Sequence, residues 1–157
     1  MAAESSGTKW LDAFNNRWAH PDYPPIEVKL ADLERAEKYL SYAFPASYRD
    51  AVLALGLPRP TTDLWGAIDE KSDLPHLSDF LTPLEIIGTV RDWTPAGYPV
   101  DLVPFASDSG DNLLSFQRED ADDAIYLWDH DFGTVRQIAS SFANLIEAYC
   151  NHLAESS

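Results

Sequence analysis

The sequence predicts an α+β fold, in which an antiparallel β-meander is flanked by an N-terminal helical hairpin and a C-terminal helix. Helical periodicity dominates the first part of the 157 residues, whereas later segments alternate β-branched and aromatic runs with polar turns. One domain fits this length, since domains commonly have about 100 to 200 residues. Hydrophobic residues make up 45% of the chain, which is enough apolar surface for a core.

Residues 1–29 are predicted to be an N-terminal tail that carries a short helix and a proline-rich connector. Apolar residues recur on one helical face over residues 10–18, and Thr8 is the candidate N-cap. Residues 20–25 contain three prolines, so the helix must end before them.

A helical hairpin is predicted over residues 32–56. Asp32 is the candidate N-cap of its first helix, whose apolar residues recur every three or four positions until Pro45. Pro45 suits the first position of the second helix, and Gly56 suits the left-handed conformation that ends it.

Residues 57–81 give no firm assignment, but the Thr-Pro-Leu-Glu run at residues 82–85 is a capping-box pattern that predicts a helix to residue 93. The C-terminal half then predicts four antiparallel strands and a last helix that starts after a serine cap at residue 140 or 141. The predicted strands cover residues 100–105, 112–117, 124–128 and 134–138.

Composition excludes several classes of function. The chain has 26 acidic and 11 basic residues and a net charge of −15, which disfavours direct binding to nucleic acid or to an anionic membrane. Cys150 is the single cysteine, so an internal disulfide is excluded and a reducing compartment is favoured. The sequence has no pattern of a secretion signal or membrane span, and we therefore expect a cytoplasmic protein.

Candidate catalytic patterns are weak. Asp129, His130 and Asp131 have the residue types of a hydrolytic metal site, but neighbours on a strand point to opposite faces, and turn capping is favoured. Residues 108–112 resemble part of a calcium loop without its alternating ligands, so an Asx turn is predicted instead. We expect no catalytic residues, no metal site and no cofactor.

Acidic residues concentrate in the predicted turns of the meander. Residues 101–131 contain nine acids against one base, Arg118. Such a surface can dock a basic partner, because charge complementarity speeds association and fixes orientation. The alternative is that acidic turns only keep strand edges soluble and unpaired. Trp65 and Trp93 are candidate aromatic anchors, with burial in the core as the alternative for each. The candidate partner-binding acids are Asp108, Asp111, Glu119, Asp120, Asp122, Asp123, Asp129 and Asp131.

Four sequence segments, in the order in which they occur, resemble a known protein family. They are Phe44-Pro45-Ala46-Ser47-Tyr48 leading to Gly56, Val103-Pro104-Phe105-Ala106-Ser107-Asp108-Ser109-Gly110-Asp111, Ile125-Tyr126-Leu127-Trp128-Asp129-His130-Asp131, and Ser141-Phe142 with Leu145 and Ile146. Together they resemble the SUKH superfamily, which includes the fungal Smi/Knr cell-wall regulators. The resemblance implies a SUKH-like α+β domain over residues 30–153.

Bacterial members of that superfamily are mostly immunity proteins, so the resemblance implies a chain that binds and neutralises a cognate toxin. Such toxins belong to polymorphic, contact-dependent or type VI secretion systems and are often nucleases or other nucleic-acid-modifying enzymes. A basic toxin cleft would suit the acidic turns. Two alternatives are a cytoplasmic scaffold or regulatory module of the Smi/Knr type, and a metal-dependent hydrolase centred on Asp129, His130 and Asp131.

Overall fold

The computed structural model describes residues 6–19, 22–61, 64, 74–108, 110, 112–118 and 123–156. These residues form N-terminal helices, a five-stranded antiparallel sheet and a C-terminal helix, which confirms the predicted α+β fold. The helices are α1 (Ser6–Trp18), α2 (Leu30–Leu40), α3 (Ala46–Leu55), α4 (Pro83–Trp93) and α5 (Phe142–Ser156), with a short 3-10 helix at Thr94–Ala96. The strands are β1 (Leu77–Phe80), β2 (Leu102–Asp108), β3 (Leu113–Gln117), β4 (Ile125–Asp129) and β5 (Thr134–Ala139).

The sheet is a meander in which each strand pairs antiparallel with the next, in the order β1-β2-β3-β4-β5. The four predicted strands are confirmed within two or three residues at their ends. β1 is an additional strand from the stretch that the sequence left unassigned, and it pairs with β2 through Leu77 and Phe80. The register of β2 against β3 shifts between Pro104 and Ala106, next to a residue that has no N–H to donate.

Aromatic rings fill the centre of the core between the sheet and the helices. Phe105 and Phe116 stack across β2 and β3 with ring centroids 4.6 Å apart. Tyr48 from α3 packs its ring edge against both, at 5.7 and 5.4 Å. Phe142 from α5 contacts Tyr48 at 5.4 Å, so the two helices and the sheet share one apolar centre.

Helix α1 belongs to this core. Leu11, Phe14 and Trp18 are buried, and α1 packs against α3 and α5. The expected cap at Thr8 is wrong, because the helix already begins at Ser6 and Thr8 lies buried inside it. Gly7 allows this early start, since a Cβ there would overlap the backbone carbonyl of Ser47 at the beginning of α3.

Three predicted boundaries in the helical hairpin are also wrong. Helix α2 begins at Leu30 without a side-chain cap, so Asp32 lies in its first turn, where its charge favours the helix dipole. It ends at Leu40, because Ser41 takes a left-handed conformation with φ 51°. Pro45 precedes α3 as its N-cap residue. Gly56 ends α3 with a positive φ, 80°, but its ψ of −165° lies outside the left-handed helical conformation that the sequence predicted.

The capping predictions for the last two helices are confirmed. At α4, the Glu85 N–H donates to Thr82 Oγ1 at 3.2 Å, and the Thr82 N–H donates to Glu85 Oε1 at 2.9 Å. At α5, the Asn144 N–H donates to Ser141 Oγ at 3.0 Å. These bonds satisfy backbone donors that a helix start leaves unpaired.

Cys150 is buried on α5, with its Sγ 3.7 Å from the carbonyl oxygen of Trp10. Burial raises the pKa of its thiol to about 11. The thiolate is the reactive form, and an unfolded cysteine has a pKa of about 8.5, so we expect the native protein near pH 8 to react with a thiol dye roughly a hundredfold more slowly than the urea-unfolded chain. Equal rates in the two states would contradict this burial.

Candidate partner-binding surface

The meander divides the predicted acidic surface between two ends of the sheet, because successive turns of antiparallel strands alternate in direction. The β2–β3 turn and the β4–β5 turn lie at one end, which we call the paired-turn end (residues 108–112 and 129–133). Asn112 Oδ1 joins these turns, since it accepts the His130 backbone N–H at 3.2 Å and lies 3.0 Å from His130 Nδ1. The link between β3 and β4 carries Glu119, Asp120, Asp122 and Asp123 and joins the strands at the opposite end.

Asp108 builds the first of the paired turns. Its Oδ1 accepts the backbone N–H groups of Gly110 at 2.8 Å and Asn112 at 2.9 Å, and its Oδ2 accepts Asn112 Nδ2 at 3.2 Å. These bonds confirm the predicted Asx turn. The Asp108 carboxylate is therefore engaged within the chain, and Asp111 lies outside the described residues.

Asp129 builds the second turn in the same way. Its Oδ1 accepts the backbone N–H groups of Asp131 at 2.9 Å and Phe132 at 3.2 Å. Gly133 completes the turn with φ 66° and donates its N–H to the Asp129 carbonyl at 2.8 Å. The Asp131 side chain is 73% exposed, with Oδ1 3.2 Å from His130 Nε2, so its carboxylate faces solvent at the turn.

Phe132 projects from the middle of this acidic turn and is 80% exposed. Phe132 is not among the binding residues predicted from the sequence. Turns favour polar residues and glycine, so an aromatic residue between Asp131 and Gly133 was the signal that could have identified it. A large apolar side chain that is exposed next to a charged residue is a candidate binding anchor.

Trp93 lies beside the paired-turn end and is half-buried. Its ring centroid is 5.8 Å from that of Trp128 and 5.6 Å from that of His130. A small second cluster of buried residues, separate from the main core, consists of Tyr98, Leu102, Leu113 and Trp128. Trp93 packs against this cluster. It can offer part of one ring face to a partner, whereas Trp65 lies outside the described residues.

Strand β5 follows Phe132, and among the described strands none pairs with its outer edge. It is the last strand in the sheet order, and its residues 134–137 are exposed. Val135, which pairs with the buried Trp128, is 44% exposed. An exposed edge strand can accept an added strand from another protein.

The acidic residues at the opposite end include one with a structural role. Asp123 Oδ2 accepts the hydroxyl of Ser47 and, at 3.1 Å, the backbone N–H of Phe142. It thereby joins the first turns of α3 and α5. Nearby, Arg118 Nε donates to the Val100 carbonyl at 2.8 Å. Glu119, Asp120 and Asp122 lie outside the described residues.

Replacing Asp123 with alanine is expected to lower the free energy of unfolding by about 1 to 3 kcal/mol, because two donors lose a partly buried acceptor. Urea unfolding measures this loss. Asp131→Ala is the matched control, since its exposed carboxylate makes no comparable bonds, and it should change stability by less than about 0.5 kcal/mol. Equal stability of the two variants would contradict the role of Asp123.

The comparison with protein families decides the classification. The model described as SMI1 / KNR4 family (SUKH-1) matches residues 27–148, a stretch that contains all the strands. The chain belongs to this family. A search of the curated proteins finds no match. The SUKH resemblance predicted from the sequence is thereby confirmed, and SUKH-1 members are generally non-enzymatic immunity or regulatory proteins.

In this SUKH-1 chain, the candidate hydrolytic residues are engaged in the turn. Asp129 accepts backbone N–H groups, and His130 contacts Asn112 and Asp131. Among the described residues, no group of three His, Cys, Asp or Glu side chains is placed to hold a metal ion. Within the same part of the chain, no helix has the length and apolar character that crossing a membrane requires.

Proposed function

We propose that this SUKH-1 chain is an immunity protein that neutralises a cognate secreted toxin domain by stoichiometric occlusion. The observation that carries the proposal is the exposed Phe132 at the paired-turn end, which directly follows the exposed Asp131 and precedes the edge strand β5. Family membership supports an immunity or regulatory role. The specific partner is inferred from the chemistry of this surface.

An apolar anchor next to an exposed carboxylate, in a turn that carries two aspartates, fits a cleft that is basic at its edges and apolar at its base. Substrate clefts of nucleases and other nucleic-acid-modifying enzymes carry basic residues, because they bind phosphate backbones. Charge complementarity would speed association with such a cleft, and Phe132 would supply much of the affinity. A nuclease or related toxin of a polymorphic, contact-dependent or type VI system is therefore the partner we propose.

The two ends of the sheet would contribute differently. At the paired-turn end, Phe132 and Asp131 would contact the toxin directly, while Asp108, Asp111 and Asp129 would add negative charge around them. The distant acids, Glu119, Asp120, Asp122 and Asp123, would act through the long-range field that steers association. Reversing Asp120 and Asp122 to lysine should then slow association at low salt more than it speeds dissociation.

The proposal is tested by capture followed by co-expression. Tagged chain serves as bait in lysate of its source organism, with Phe132→Ala/Asp131→Lys as the matched control bait. A secreted toxin domain that the native chain retains near one to one, and that harms cells unless the native chain is co-expressed, supports immunity. Retention of an endogenous regulator without protection from any toxin would instead support the scaffold alternative.

A further inference from the structure

A groove between α2 and α4 concentrates positive charge in a chain of net charge −15. Its volume is 780 Å³. Arg35 and Lys38 line it from α2, and Arg91 lines it from α4. None of the described residues that form its walls is acidic.

Arg35 and Lys38 are not neutralised by neighbouring side chains. Within the described part of the chain, neither of them has an ion pair or a side-chain hydrogen bond. Arg91 Nε donates to Asp92 Oδ1 at 3.0 Å, but both side chains are mostly exposed, so the rest of the guanidinium faces solvent. Arg49 differs, because it pairs with Glu37 at 3.4 Å. The groove therefore presents donors that a ligand can use.

The groove also has an apolar lining. Tyr39 and Leu84 are 53% and 55% exposed on its two sides. The space over Gly88 on α4 is open, since a Cβ placed there would meet no atom closer than Arg91 Nη2 at 3.6 Å. Leu84, Gly88 and Arg91 share one face of α4 because they are spaced by three and four residues.

We infer that this groove binds an acidic peptide segment of a partner protein. Carboxylates of the segment pair with Arg35, Lys38 and Arg91, and arginine does so through two parallel N–H groups. An apolar side chain of the segment enters between Tyr39 and Leu84. Nucleic acid is a poorer occupant, because the strongly negative remainder of the chain repels a phosphate backbone.

This site is separate from the paired-turn end and does not depend on the proposed immunity function. Arg91 faces the groove, whereas Trp93, two residues later on α4, contacts Trp128 on the sheet. The two surfaces also prefer opposite chemistry, since one is acidic around Phe132 and the other is basic around Tyr39. One chain could therefore bind a basic partner and an acidic segment at the same time.

Selection of short random peptides displayed on phage, with the whole chain as bait at low salt, tests this inference. We expect the enriched peptides to carry an excess of Asp and Glu around one large apolar residue. The Kd of these peptides should be roughly tenfold or more higher for the triple variant Arg35→Glu/Lys38→Glu/Arg91→Glu than for the native chain. Lys9→Glu/Arg17→Glu/Arg59→Glu is the matched control, with the same charge change at exposed positions outside the groove, and it should have little effect.

Amide chemical shifts of the native chain give an independent readout that does not rely on a variant folding. Perturbation by an enriched peptide that is confined to α2 and α4, together with weaker binding to Tyr39→Ala, supports the groove. The inference is overturned if the enriched peptides have no excess of acidic residues, or if the groove and control variants lose equal affinity. Chemical-shift perturbation outside α2 and α4 also overturns it. Self-association of the chain that disappears in the groove variant also overturns it, because the occupant would then be a second copy.

Discussion

Replacing Trp18 with alanine is expected to lower the free energy of unfolding by about 3 to 5 kcal/mol, a large part of the stability of a small domain. The indole is fully buried where α1 meets the rest of the core, and its Nε1 donates to the Tyr149 carbonyl oxygen at 3.1 Å. The Thr61 hydroxyl also donates to the Trp18 carbonyl at 2.9 Å. Urea unfolding followed by circular dichroism measures the loss.

Trp18→Phe separates packing from hydrogen bonding at this site. It keeps an aromatic ring in the core but leaves the Tyr149 carbonyl without its donor, so we expect a smaller loss of about 1 to 3 kcal/mol. The result also bears on the role of α1, which lies outside the family-matched residues 27–148. A loss below about 1 kcal/mol for Trp18→Ala would contradict the packing of α1 into the shared core.

Replacing Phe132 with alanine is expected to weaken the proposed toxin complex by about 2 kcal/mol or more, which is roughly a thirtyfold rise in Kd. The expected cause is the loss of an exposed apolar anchor next to Asp131. Stability should be nearly unchanged, because the side chain is 80% exposed. Surface plasmon resonance with the toxin domain identified by co-expression measures the Kd.

Val100→Ala is the control for Phe132→Ala. Val100 is a 70% exposed apolar residue beside Arg118, at the end of the sheet opposite the paired turns, so its truncation should leave the Kd unchanged. Asp131→Lys should mainly slow association, and the effect should fade as salt increases. Equal losses at Phe132 and Val100 would place the toxin elsewhere on the chain.

Much of the fold could be predicted because local signals agree with the tertiary structure. Neighbouring residues alone predict the Thr82–Glu85 capping box, the positive φ of Gly56 and the alternating runs of β2–β5. β1 was missed because four residues carry too little periodicity to distinguish a strand from a loop. The end of α2 was misplaced because Phe44 is apolar and buried but reaches the core from the connector after Ser41.

The candidate surface was harder to predict, since it depends on residues that are distant in sequence. Asp123 was grouped with the acidic turns, but its partners Ser47 and Phe142 are 76 and 19 residues away, and only the folded chain brings them together. Counting acids along the sequence also hides their division between two ends of the sheet. Phe132 was not predicted because the acidic residues of its turn indicate binding through charge and not through an apolar side chain.

The groove between α2 and α4 could not be predicted from the sequence for the same reason. Arg35 and Lys38 read as the solvated face of an amphipathic helix, which is the usual role of such residues. Their relation to Arg91, more than fifty residues later, exists only because α2 packs beside α4. Pairings of this kind are set by tertiary packing and have no local sequence signal.

Titrating the activity of the identified toxin domain with purified chain tests the central proposal most directly. We predict that toxin activity falls linearly and reaches its minimum at one chain per toxin, as tight occlusion requires. The Phe132→Ala/Asp131→Lys variant should need a large excess to reach the same inhibition. Full toxin activity in the presence of excess native chain would contradict the proposal, as would inhibition by far less than one chain per toxin, which would indicate catalysis instead of occlusion.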